Sequence, residues 1–182
     1  MTDDRLRFIA ASGLAVGALL GMAGSFAPTA ELRALAWGID GTSIIVACAL
    51  LAVHHLRCGD VQLSAGFLVF LVAEAVVTSG VAIDPAAFAP TFAAGAGMWA
   101  AALALISASA TVPTFVRATG AIASVLLGAT AVRIFLGGSL NPLTKPLPFY
   151  AFPFLALTLF GWAWTHLRPS PAAALPSSID GT

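Results

Sequence analysis

Asp40, Glu74 and Arg133 each stand inside an otherwise apolar stretch of this 182-residue sequence. An ionisable group among apolar helices is costly to bury, so it marks an ion or proton pathway, a relay, or an internal ion pair. Glu74 reads as a proton or cation site, with Thr78 one helical turn further along the same face. Arg133 can serve as its counter-charge, or its long side chain can reach the headgroups unaided. Asp40 is followed by Gly41-Thr42-Ser43, which reads first as the N-cap of a helix at the outer interface and second as an outer gate or substrate contact.

Histidine offers a second chemistry. His54, His55 and His166 fall near the ends of two apolar segments, and facing histidines on separate helices can ligate haem iron or a metal. Only one of the adjacent pair can face the segment that carries His166. Cys48 and Cys58, ten residues apart on one helix, are about 15 Å from each other and cannot form a disulfide. Phosphate-binding glycine loops, His-Glu-x-x-His and Gly-x-Ser-x-Gly are all absent from the sequence, which argues against the corresponding nucleotide, zinc-hydrolase and serine-hydrolase chemistry.

The elements that must position these residues follow from composition. Hydrophobic residues make up 59% of the chain and charged residues 9%, and the mean hydropathy is +0.97. A soluble domain carries a surface of about 25 to 35% charged residues, and a chain this apolar cannot remain solvated while disordered. The membrane class is what remains. Eight basic residues balance eight acidic ones, so there is no basic face for nucleic acid. The expected surroundings are a lipid bilayer, with a homo-oligomer or a membrane partner protein as the possible assemblies.

Gaps between charges and the placement of Pro and Gly divide residues 1–168 into six apolar spans, about 8–27, 35–56, 61–83, 91–110, 114–136 and 147–167. The breaks are assigned to Pro28, Asp84-Pro85, Pro90, Pro113, Gly137-Gly138 and Pro142. Span three contains Glu74 and is the hardest to insert. A central charge costs about 2.5 to 3.5 kcal/mol, but the Leu, Ile, Phe and Val residues of 61–83 return roughly 4 to 7 kcal/mol. Insertion therefore wins. The tight polar connection Arg57-Cys58-Gly59-Asp60 makes spans two and three antiparallel neighbours. The Pro- and Ser-rich segment 169–182 is expected to be a disordered tail.

Basic residues set the orientation. With the N-terminus inside, Arg5, Arg7, Arg57, Arg117 and Arg168 lie at cytoplasmic ends against Arg33 and Lys145 outside, which puts both termini in the cytoplasm. A cleaved signal peptide over residues 1–27 is disfavoured, because the apolar run is long and Asp3 and Asp4 dilute the basic start. Small residues recur every fourth position at Gly13, Gly17 and Gly21 in span one and at Gly120, Ser124 and Gly128 in span five. These read as helix-packing stripes. Trp37, Trp162 and Trp164 read as interfacial anchors, Trp99 as a buried aromatic, and Pro153 as a kink in span six.

The expected fold is thus all-α: an integral membrane bundle of six transmembrane helices in the cytoplasmic, or inner, membrane. Three functions are compatible with it. The first is a non-enzymatic structural or accessory component without a cofactor. The second is a small transporter or channel for protons, cations or a small solute, using Glu74 and Arg133. The third is a haem or metal-binding electron carrier using His54 or His55 with His166.

Overall fold

The computed structural model describes residues 3–81 and 85–168. The 169–182 tail, the end of span three at 82–83 and the Asp84 part of the Asp84-Pro85 break lie outside the described residues. The chain forms α1 (Asp3–Ser25), α2 (Ala30–Arg57), α3 (Val61–Val81), α4 (Pro85–Ala108), α5 (Thr114–Phe135) and α6 (Ala151–Leu167), with no strand among the described residues. The first five are long and apolar enough to cross a membrane. The sixth has 17 residues, about 25 Å of helix.

Local chemistry sets the helix ends. Thr29 caps α2 by accepting from the Leu32 amide at 3.3 Å. At the other end Gly59, with φ of +78°, makes the abrupt turn that brings Asp60 back to cap α3 through the Leu63 amide at 3.0 Å. The end of α5 is closed by a pair of reversed bonds, from the Gly138 amide to the Arg133 carbonyl and from the Gly137 amide to the Ile134 carbonyl. Gly137 sits at φ +92°, the left-handed conformation such a cap requires.

Two prolines behave differently from the sequence expectation. Pro90 lies inside α4, which runs through it from Pro85 and so starts six residues before the expected 91. Pro153 is the third residue of α6, in the first turn, where its missing N–H has no intrahelical acceptor to lose; it helps start the helix instead of kinking its first half. The expected start of span six at 147 gives way to Ala151 because Pro142, Pro146 and Pro148 keep the preceding stretch in turns.

Each helix packs against its neighbours in sequence, and α1 also packs against α6. The six helices therefore close into a ring. Short antiparallel connections put 58–60, 109–113 and both described chain ends on one face, called here the terminal face. Residues 26–29 and the long 136–150 loop lie on the opposite face. The outward surface presents large apolar side chains such as Phe8, Leu19, Val125 and Leu136, the exterior of a helical bundle whose solvent is hydrocarbon.

A ring of six helices leaves space on its axis that side chains must fill. Toward the terminal face they do. Phe67, Phe70 and Trp162 are buried, with Phe67 and Phe70 each edge-on to Trp162 at 5.1 and 5.5 Å between centroids, and Leu14, Leu51 and Leu103 fill the remaining space. Trp162 is thus a core residue and not the interfacial anchor its position near the end of span six implies. Trp164, two residues on, is exposed. Toward the long-loop face the axis is open.

Candidate functional site: a carboxylate-lined cavity

The open half of the axis is a cavity of about 70 Å³, walled by α1, α2, α3, α4 and α6 together with Pro142 of the long loop. A buried water needs about 10 to 15 Å³ of such volume, so the cavity accommodates several. Its walls are mainly apolar, but Asp40, Glu74 and Thr78 all open onto it.

Asp40 is in the interior of α2, ten residues and about 15 Å from the Ala30 end. The cap reading is therefore corrected: α2 begins earlier than expected, Thr29 does the capping, and the Asp40 carboxylate projects from mid-helix. It lies against the glycine stripe of α1. A Cβ added at Gly17 would be 3.1 Å from Asp40 Oδ1, and one at Gly21 would be 2.8 Å from Oδ2. Oδ1 is buried and has no hydrogen-bond partner among the described residues. An orphaned buried acceptor is expensive, and it calls for a proton, a water or a cation.

Glu74 is 4% exposed. Thirteen residues into α3, it stands about 20 Å from the Val61 end and about 10 Å from the Val81 end. The Trp99 indole N–H donates to its Oε2 at 3.1 Å, and the Thr78 hydroxyl, one turn further along α3, is its second partner. Helix α2 can approach this group because residue 41 is glycine. A Cβ there would overlap Thr78 Oγ1 and come within 3.2 Å of Glu74 Oε1. Gly41 is thus a site residue that reads from sequence only as part of a cap, and its signal was its adjacency to Asp40.

The structure brings Asp40, Glu74 and Thr78 together and leaves Arg133 out. Arg133 is exposed near the end of α5, the one helix that contributes nothing to the cavity wall, and no ion pair joins it to either carboxylate among the described residues. Among the described residues no Lys, Arg or His lines the cavity. At the mouth, the Arg33 guanidinium lies 6.0 Å from the ring centroid of Trp37 and donates to the Ala27 carbonyl. Trp37 itself forms part of the wall and donates to the Gly21 carbonyl at 3.2 Å. The aromatic residues Phe88, Phe92 and Phe152 complete the lining and would escape notice in sequence, because nothing distinguishes them there from other apolar residues.

The remaining packing residues lie elsewhere. Gly13 faces the Ser43 carbonyl and Ala47 of α2. On α5, Gly120 faces Ser107 and Thr158, Gly128 faces Ala100, and the Ser124 hydroxyl donates to the Ala100 carbonyl at 2.7 Å.

The histidines assemble at the terminal face. His55 Nε2 and His166 Nε2 are 3.1 Å apart, His166 Nδ1 is 2.7 Å from the Trp162 carbonyl, and His54 Nδ1 is 2.9 Å from Asp3 Oδ1. The Trp162 carbonyl can only accept, so His166 Nδ1 carries a proton. In the neutral ring its Nε2 then accepts from His55. Two axial haem ligands would be separated by two metal–imidazole bonds of about 2 Å each, with a porphyrin between them. At hydrogen-bonding distance, with His55 stacked on Phe67 at 5.5 Å, the pair has no space for one. Among the described residues no group of three or more His, Cys, Asp or Glu side chains is arranged to hold a metal.

No family model, curated protein or solved structure matches this chain.

Proposed function

We propose that the protein is a small carrier for protons or a small cationic solute in the cytoplasmic membrane, with Asp40 and Glu74 as its exchangeable acid site. In this reading both termini are cytoplasmic and the cavity opens outward. The observation that carries it is the cavity reaching both carboxylates through a wall that contains no basic residue among the described residues. Two carboxylates in an apolar, low-dielectric space cannot both stay ionised unless a positive charge joins them. Since Arg133 does not supply that charge, a proton or a cation from solution has to.

The reading also assigns roles to the two halves of the axis. The open half admits the ion, and the aromatic packing of Phe67, Phe70 and Trp162 blocks a continuous water path to the terminal face. A blocked path favours a carrier over an open channel, because passage then requires a conformational step. Arg133 drops out of the mechanism. Trp99 and Thr78 orient Glu74, while Asp40 provides the free acceptor.

The test is ion flux into sealed vesicles containing the purified protein and a trapped pH-sensitive dye. An imposed pH gradient should collapse faster than in protein-free vesicles. Asp40→Asn and Glu74→Gln should remove that acceleration while the protein stays folded. Wild-type rates in both variants would refute the carrier. A structural or accessory role is the second reading, favoured by the close backbone approach of α1 to α2 at Gly13; it predicts no flux for any variant.

A further inference from the structure

We propose that the cavity's cationic ligand is a small alkylammonium, and not a bare metal ion. The inference rests on the same carboxylate site as the carrier reading and names its ligand class. A hard cation such as a calcium or magnesium ion needs roughly six oxygen ligands. The side chains of the wall provide two carboxylates and the Thr78 and Ser25 hydroxyls, but Glu74 already has donors from Trp99 and Thr78, and Ser25 donates to the Gly21 carbonyl. That leaves the Asp40 carboxylate as the one group of this set not already engaged, too few oxygens for a dehydrated metal ion.

The rest of the lining fits a different cation. Trp37, Phe88, Phe92, Trp99 and Phe152 all border the space. Aromatic faces attract ammonium groups electrostatically, and apolar walls recover the hydrophobic contribution of the cation's carbon substituents. Asp40 Oδ1, buried and without a partner among the described residues, is the acceptor that such a charge would satisfy. The ammonium therefore sits at Asp40, with Glu74 held in place by its two donors, and its arrival displaces the proton that otherwise neutralises the site.

Charge around Asp40 is simple enough for the linkage to be read. Facing it, α3 contributes Glu74. Its own helix adds Cys48 deeper in and Arg33 at the mouth, while among the described residues α1, α4 and α6 contribute no titratable group to the wall. Binding should accordingly release one proton and weaken as the pH falls.

The experiment uses the full chain in lipid nanodiscs. Its probes are ethylammonium, its uncharged near-isostere ethanol, and potassium ion, followed by calorimetry and by tryptophan fluorescence. Ethylammonium should bind at least about tenfold more tightly than either comparison ligand. Its affinity should fall about tenfold per unit of falling pH where one proton is displaced. Asp40→Asn should lose at least about tenfold in affinity for it. If that variant does not fold, the isostere comparison and the pH dependence of the native chain decide the question. Equal binding of charged and uncharged probes, or tighter binding of potassium, would overturn the inference. Ammonium binding without proton flux in vesicles, even under an imposed ammonium gradient, supports the ligand class while removing the carrier. Flux with no preference for the ammonium does the reverse.

Discussion

Three glycines of α1 and α2 give three different outcomes when each is replaced by alanine, and the structure says which. At Gly13 the new Cβ would lie 2.9 Å from the Ser43 carbonyl oxygen and 3.0 Å from the Ala47 Cβ, both fixed to the facing helix. Ordinary contact needs about half an ångström more, so the helices must separate along a close-packed seam. Overpacking of this kind costs about 1 to 3 kcal/mol. At Gly38 an added Cβ meets nothing within 4 Å, and the substitution should be neutral or gain up to about 1 kcal/mol from helix propensity. At Gly21 the obstacle is Asp40 Oδ2 at 2.8 Å, the end of a side chain that can swing away. Gly21→Ala should therefore change stability by less than Gly13→Ala, yet displace the carboxylate and impair proton flux. Unfolding in mixed micelles, followed by tryptophan fluorescence, measures the stabilities, and vesicle flux measures the site. Equal stability of Gly13→Ala and Gly38→Ala would refute the reasoning, as would normal flux in Gly21→Ala.

Other perturbations separate the site from its surroundings. Arg133 is exposed and without an ion pair among the described residues, so Arg133→Gln should leave flux at the native rate; abolished flux would return it to the mechanism. Trp99→Phe keeps the ring but removes the donor to Glu74. A hydrogen bond to a charged group is worth about 1.5 to 3 kcal/mol, so this variant should alter ion affinity more than it alters the fold, as read by titrating flux against pH. Cys58 is exposed in the turn at the terminal face and Cys48 is buried. A membrane-impermeant maleimide should label only Cys58, and only when added from the cytoplasmic side; labelling from outside would invert the orientation.

The helices are legible in the sequence because charge is so sparse that apolar runs stand out, and because the capping residues have local signatures. Where the expected ends differ, the cause is local too: a cap at Thr29 instead of Asp40, and prolines tolerated within α4 and in the first turn of α6. The carboxylates are legible as suspects, since an ionisable residue in a span is conspicuous wherever it points. Their relationship is not. Helical periodicity gives the face of one helix but not which helix it meets. Arg133 and Glu74 can be matched by depth, yet α5 packs between α4 and α6 and does not reach α3. Likewise the spacing of Gly17 and Gly21 marks a stripe of small residues, but only the crossing of α1 and α2 shows that a carboxylate occupies the space those glycines leave. The aromatic wall is the least visible part, because Phe88, Phe92 and Phe152 have the same composition signal as any lipid-facing phenylalanine.

The central claim is that Asp40 and Glu74 form one acid site in exchange with the solution. Infrared difference spectroscopy of the protein in lipid, recorded as the pH is stepped and again in heavy water, tests it most directly. A protonated-carboxyl band should appear and disappear reversibly with pH, shift promptly in heavy water, and be altered by both Asp40→Asn and Glu74→Gln. A carboxyl signal that ignores pH and solvent isotope, or that neither substitution changes, would contradict it.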